Sequence, residues 1–385
     1  MAHDINVEVA VSDRYTEAAK AVEPALCCPV EYDTRYLEIL PDEIIKRDYG
    51  CGDPSAYVEQ GETVLDLGSG GGKICYIASQ IVGETGSVIG VDTNTEMLSL
   101  ARKYQDELAG KIGYANVEFR YGKIQDLKTD LDAVDRYLED HPVHSAAEMD
   151  EYDSFLEKQR SGALLVENDS IDVILSNCVL NLVRAEDKAK MFDEMFRVLK
   201  RGGRIAISDI VSDEDVPKHL RNDPELWSGC ISGAYREDEF VNAFADAGFY
   251  GMEIVKRDEQ PWHTVEGIEF RSVTLVAYKG KQGPCLERNQ AVIYKGPWKR
   301  VLDDDGHALE RGRRIAVCDK TFAIYSKEPY APDLIALEPL EEIPLTEAGE
   351  FDCKRTAERH PRESKGMDYD LTKPGENCGP DDGCC

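Results

Sequence analysis

Short apolar runs alternate with amphipathic stretches through the middle of this chain. Residues 63–67 read as a buried strand, 73–82 as a helix, 87–91 as a second strand and 96–108 as a second helix. Residues 117–121 and 171–176 supply third and fourth strands. The helix 188–200 carries Met191, Met195, Val198 and Leu199 on one apolar face, stops at Gly202-Gly203, and leads into a fifth strand at 204–209. Continuous apolar strands separated by one-faced helices mark a parallel sheet covered on both sides. The fold expected is α/β, a doubly wound, mostly parallel sheet of Rossmann-like design.

Residues 1–60 are polar and mostly helical in pattern. Tyr15 falls in a short helix, and 41–49 reads as another, with Pro41 in the first turn and Gly50 as the stop. Residues 61–282 form the main domain. Its connection 128–168 is acidic and too long for a simple loop, since loops beyond about 15 residues are uncommon. Helices near 132–140 and 149–159 make it a helical insertion. At Gln282-Gly283-Pro284 the pattern changes to short strands at 291–294, 314–318 and 322–325, which outline a small α+β domain over 283–350. The tail 351–385, rich in charge, Gly and Pro, reads as disordered and ends on Cys384-Cys385.

Charge removes several classes of partner. The 385 residues include 75 acidic and 45 basic side chains, for a net charge of −30, and a field of that sign opposes nucleic acid and anionic membranes. No run approaches the ~18 apolar residues of a membrane span, and the amino terminus lacks the basic and apolar segments of a signal peptide. A cytoplasmic location is expected. There the 12 cysteines are expected reduced, and read as metal-binding or catalytic more than as a disulfide framework.

The first strand runs into Asp66-Leu67-Gly68-Ser69-Gly70-Gly71-Gly72. Such glycines let the backbone approach a ligand, and the helix amino terminus beyond offers unpaired N–H groups. An Asp ahead of the glycines suits a cationic ligand such as S-adenosylmethionine better than a diphosphate. Asp92 ends the second strand, where a carboxylate takes ribose hydroxyls, and Lys123-Ile124 follow the third, beside an adenine. In such sheets the loops past the strand carboxyl ends share one crevice. Cys75, Cys178 and Cys230 each follow such an end, so three thiols are expected beside the cofactor. Cys75, in a first helical turn, is expected to have a lowered pKa. Three thiolates match trivalent arsenic, with zinc as a rival.

Leu65 to Gly70, Val91-Asp92 and Val198 to Gly203 together resemble class I S-adenosylmethionine-dependent methyltransferases over roughly 60–210. Residues 69–76, 176–182 and 227–234, around Cys75, Cys178 and Cys230, narrow the resemblance to the arsenite methyltransferase family. Arg47 to Gly52 and Phe270 to Thr274 extend it over most of the chain. The resemblance implies stepwise methylation of arsenite with S-adenosylmethionine as donor. It extends the cofactor contacts to Tyr15, Gly68, Ser69, Gly70, Asn94, Met97 and Asn177. It also implies that protein cysteines return the arsenic to the trivalent state by forming a disulfide, which thioredoxin or glutathione reduces. Cys27 or Cys28 stands where the family has a redox thiol, and which one corresponds stays open. Cys51 reads either as a further thiol of the site or as a core residue. Tyr15-Thr16 departs from the family's Tyr-Gly, which weakens Tyr15 as a cofactor lid. Cys285, Cys318, Cys353 and Cys378 receive no role. Two alternatives remain: a methyltransferase of another small molecule, and a non-enzymatic thiol protein that binds metalloids.

Overall fold

The computed structural model describes residues 7–23, 26, 30–353 and 358–365. The chain divides into two compact units, Met1–Gly280 and Lys281–Cys385, each taken by itself below. None of the described helices is long and apolar enough to cross a membrane.

The first unit is built on β1 (Thr63–Leu67), β2 (Ser87–Asp92), β3 (Val117–Tyr121), β4 (Ile171–Asn177), β5 (Leu199–Ser212), β6 (Tyr235–Arg236), β7 (Tyr250–Arg257), β8 (His263–Val265) and β9 (Ile268–Tyr278). The main order is β3-β2-β1-β4-β5-β9-β7. β1 to β5 run parallel, and β9 enters antiparallel between β5 and β7. Strand order reverses between β1 and β4, which opens a crevice at their carboxyl ends. Alternation along β1 separates two cores. Leu65 and Leu67 pack with Met191, Met195 and Val198 of the helix Ala185–Val198, while Val64 packs with Ile74, Ile77 and Ala78 of the helix Lys73–Val82. Both faces are dry at the inner strands, which is why β1 and β4 are mostly apolar.

Two elements differ from expectation for local reasons. The helix expected at 96–108 breaks at Tyr104 into Thr95–Lys103 and Gln105–Ile112. There the Tyr104 hydroxyl and the Lys103 ammonium both turn to the Glu43 carboxylate, and a tertiary contact overrides helix continuity. β5 runs on through Gly202-Gly203 because β9 pairs across it: Gly202 N donates to Lys279 O at 2.6 Å and Lys279 N to Gly203 O at 2.9 Å. The connection after β3 carries the helices Leu131–Asp140 and Ala146–Ser161, capped by Asp130 and Ser145.

In the second unit Ala291–Tyr294 lies between Arg314–Ala316 and Leu334–Leu337, all antiparallel. Residues 322–325 are helical and not the strand expected. Cys318 caps the helix Asp319–Tyr325 by accepting from Thr321 N, and Phe322 and Tyr325, three apart, both enter the core. The expectation of a disordered tail is corrected over 358–365. Arg359 is fully buried there; its guanidinium donates to both Glu287 oxygens at 2.6 and 2.8 Å, to Glu363 at 2.9 Å and to Gln290 O at 3.0 Å. Cys378, Cys384 and Cys385 lie outside the described residues. Removing the guanidinium strands Glu287, so Arg359→Ala should destabilise the second unit by about 3 kcal/mol, at the lower end for breaking a buried pair because Glu287 keeps some solvent. A denaturant titration followed by fluorescence reads this directly, and an unchanged midpoint would refute it.

Candidate functional site

At the carboxyl ends of β1, β2 and β4 lies a cavity of about 180 Å³. The glycine loop forms its floor. Gly68, Gly70 and Gly72 have φ of 73°, 50° and 85°, a region where side chains are strained. A Cβ at Gly68 would fall 2.5 Å from Val179. Gly70 N donates to Asp92 Oδ2 at 2.8 Å and Asn94 N to Asp92 Oδ1 at 2.7 Å, which hold that carboxylate at the rim. All eleven residues expected to contact the cofactor line this one cavity: Asp66, Gly68, Ser69 and Gly70 on the floor, Asp92, Asn94 and Met97 after β2, Lys123 and Ile124 after β3, Asn177 after β4, and Tyr15 above. Ser69 Oγ is buried without a hydrogen-bond partner, an unmet polar atom of the sort a bound ligand satisfies.

Several of these residues do structural duty as well. Asn94 caps the helix Thr95–Lys103 with its oxygen, and its amide donates to Ser12 O at 3.2 Å and Thr16 Oγ1 at 3.0 Å. It thereby fastens the helix Val7–Lys20 over the cavity, and Thr16, the departure noted above, becomes part of that fastening. Tyr15, half-buried, meets Tyr49 edge-on at 6.2 Å between ring centroids. Desolvation, then the neighbouring Cys230 thiol, push the pKa of its hydroxyl up. On the far side Arg14 donates to Glu225 O and Ser228 Oγ, tying the same helix to the Cys230 segment.

Asn177 accepts from Cys51 N at 2.8 Å and Gly52 N at 3.1 Å through Oδ1, and donates from Nδ2 to Gly52 O at 2.7 Å and Tyr32 Oη at 3.3 Å. Its amide is therefore spent on the Gly50-Cys51-Gly52 backbone. A Cβ at Gly50 would lie 2.1 Å from Asn177, and one at Gly52 2.4 Å from Ser208. Glycines on both sides let Cys51 be pressed against the end of β4. Ser272 holds it from the other side by donating to Cys51 O at 2.7 Å.

The thiols assemble differently from expectation. Cys51, Cys178 and Cys230 share one buried cluster with Ile210 and Phe270. Cys51 and Cys178 form a disulfide with Cα atoms 5.9 Å apart, so the expectation that all cysteines are reduced is corrected at these two. Cys230 donates from Sγ to Cys178 O at 3.3 Å. Cys178 and Cys230 both have left-handed backbones, with φ of 59° and 63°, strain of the kind found at functional positions. Cys75 stands apart. It packs in the core on the Lys73–Val82 side of the sheet and donates to Asp66 Oδ2 at 3.2 Å. Burial, then the adjacent Asp66, push its pKa well up, against the lowering expected from its helical turn. Cys27 and Cys28 lie outside the described residues. The signal for Cys51 was the glycine on either side of it.

Three polar residues that sequence reasoning missed brace the thiols from below. Asp209 accepts from Leu180 N at 2.9 Å and Ile210 N at 2.8 Å. Asn181 donates to Ile210 O and Cys230 O. Lys188 donates to Gly233 O at 2.6 Å and lies 4.1 Å from the Tyr235 ring centroid. Burial raises Asp209 to about 6 and lowers Lys188 to about 8, while each charge partly offsets the other's shift. On the cavity floor, burial raises Asp66 to about 7.

The chain matches the model of a methyltransferase domain over residues 58–158 and 154–248, and a domain of unknown function, DUF8838, over 281–369. It is 31% identical to the arsenite methyltransferase of Aquipseudomonas alcaligenes, across 81% of this chain and 84% of that one. It is also 39% identical to that of Halobacterium salinarum, across 54% of this chain and 43% of the relative. Among solved structures it resembles an arsenic(III) S-adenosylmethionine methyltransferase from Chlamydomonas reinhardtii, with a TM-score of 0.55, 28% identity, and coverage of 86% of this chain and 100% of the other. Similarity of that extent, over a sheet with the class I methyltransferase fold, means that this chain belongs to the arsenite methyltransferase family.

Proposed function

We propose that this chain methylates arsenite, holding arsenic(III) on Cys51, Cys178 and Cys230 beside a cavity for S-adenosylmethionine. The observation that carries the reading is the single cluster of those three cysteines, with Cys178 in the wall of the cavity that the glycine loop floors. Arsenite is a neutral trihydroxide near pH 7, so an acidic surface does not repel it. Three hydroxyls exchange for three thiols, each thiol proton leaving with a hydroxyl as water, which gives a pyramidal arsenic on three thiolates with a lone pair. When bound, S-adenosylmethionine supplies an electrophilic methyl group to that lone pair. The residues that line the cavity fit that ligand: Asp66 would complement its positive charge, Asp92 would take its ribose hydroxyls, and Ser69 offers a hydroxyl without a partner. The protein's contribution is proximity and orientation, with no general base at the methyl transfer.

Methylation leaves arsenic formally pentavalent. Two electrons from two cysteines restore the trivalent state and leave a disulfide, and the Cys51–Cys178 bond corresponds to that oxidised form. A dithiol such as thioredoxin, or two glutathiones, then returns both thiols and is itself oxidised. Cys27 or Cys28 is the further redox thiol that the family resemblance implies.

Two outcomes test this reading. With arsenite, S-adenosylmethionine and excess thiol, and products separated by chromatography with arsenic-specific detection, Cys51→Ser, Cys178→Ser and Cys230→Ser should each lower turnover by roughly a hundredfold or more. Cys75→Ser, which keeps a donor to Asp66, should retain most of it; equal losses at all four would sink the assignment. The second outcome concerns pH. Burial raises Asp66 to about 7, and a cationic ligand favours its charged form, so its pKa falls on binding. Affinity for S-adenosylmethionine, measured by calorimetry, should therefore rise with pH and level off above about 7. Below that it should lose up to about tenfold per pH unit. An Asp66→Asn variant should give a flat profile, and a flat profile in the parent would refute the pairing.

A further inference from the structure

Three cysteines outside the methyl-transfer site converge in the second unit from widely separated segments. Cys285 precedes the two-residue strand Leu286–Glu287, which pairs antiparallel with Gly349–Glu350, and Phe351 N donates to Cys285 O at 2.9 Å. That ribbon brings Cys353 back beside Cys285. Cys318 caps the helix Asp319–Tyr325, whose Asp319 accepts from Leu286 N at 3.1 Å, so the helix start is fastened to the same strand. The Cys285 thiol thus has Cys318 and Cys353 as its electrostatic neighbours. All three are free; Cys353 is exposed, Cys285 half-buried and Cys318 buried.

Beside them is a cavity of about 20 Å³ whose lining includes Cys318, Cys353, Thr321 and His307. About 10–15 Å³ of such space holds one water molecule, so the cavity admits a single small occupant. His307 is engaged through Nδ1 with Asp303 Oδ2 at 2.8 Å, and that hydrogen bond raises its pKa. Structural zinc sites are closed and four-coordinate. Here the donors are three sulfurs, graded from solvent to core.

We propose that Cys285, Cys318 and Cys353 form a second thiolate site, which takes a trivalent arsenical from solvent. The inference takes from the proposed function the identity of the ion alone. Capture begins at exposed Cys353 and half-buried Cys285 and closes on Cys318. Each thiol proton leaves with an arsenic hydroxyl as water, so one arsenite and three thiols give one As–S3 centre and three waters, with no change of oxidation state.

The test uses the full chain, reduced, with arsenite as the probe and alkylation by iodoacetamide mapped peptide by peptide in a mass spectrometer. With arsenite at roughly ten times its dissociation constant, Cys285 and Cys353 should alkylate about tenfold more slowly than without it. Cys318→Ser and, separately, Cys285→Ser should each abolish protection at the two remaining thiols while protection at Cys178 and Cys230 persists. Alkylation of Cys285 and Cys353 at unchanged rates would overturn the proposal. So would stoichiometric zinc on these thiols that arsenite does not displace. Loss of protection at Cys178 and Cys230 alone would count against the proposed function instead, so the two failures are distinguishable.

Discussion

Everything at the thiol centre depends on one side-chain amide. Asn177, at the end of β4, gives its oxygen to two backbone N–H groups of the Cys51 loop and its nitrogen to a carbonyl of the same loop. A half-buried amide satisfied this fully is expensive to disturb, because any displacement strands several polar groups at once. The loop cannot drift, and Cys51, which precedes β1, is held against Cys178, which follows β4. Lys73 adds a second restraint by pairing with Asp48 at 2.9 Å and lying 3.6 Å from the Tyr32 ring centroid. Fold and site are thus joined before any ligand enters.

Charge is handled differently inside and outside. The surface is strongly acidic, as the net charge of −30 requires. Within the site, Asp66 and Asp209 are enclosed and Asp92 stands at the rim, and desolvation raises the pKa of each. Asp92 and Asp209 recover part of that cost from backbone N–H groups, whereas the hydrogen bond to Asp66 comes from a thiol. Asp66 is therefore the carboxylate with most to gain from a cation. The cavity floor discriminates by charge while the thiol cluster discriminates by softness.

The five parallel strands were legible in the sequence because apolar runs alternating with amphipathic helices leave little choice of element, whereas β6 to β9 fall outside that alternation and were not read. The cofactor cavity was legible because glycines, Asp66 and Asp92 carry their geometry in their spacing. Cys75 was misread because position past a strand end says nothing about which face of the sheet a side chain takes. It entered the helix side, and Cys51 took the place expected for it. No local pattern announces a contact between residues 51 and 178, and the glycines flanking Cys51 were its one trace. Residues 322–325 were misread because an apolar tetrapeptide fits strand and helix alike, and the deciding cap sits one turn earlier at Cys318. Asp209, Asn181 and Lys188 were invisible since each serves by bracing backbone that sequence cannot place.

The Cys51–Cys178 bond joins positions 127 residues apart and so closes a large ring of chain that contains β1, β2, β3 and β4. On the chain-entropy account a ring of that length removes about 5 kcal/mol of disorder from the unfolded state. The oxidised protein is then the sturdier one and the reduced protein the looser. Under the chemistry proposed above, electrons delivered to this enzyme would arm its site and slacken its chain in a single act. Its lifetime in a cell and its capacity for work would then be set against each other by the same supply of reductant.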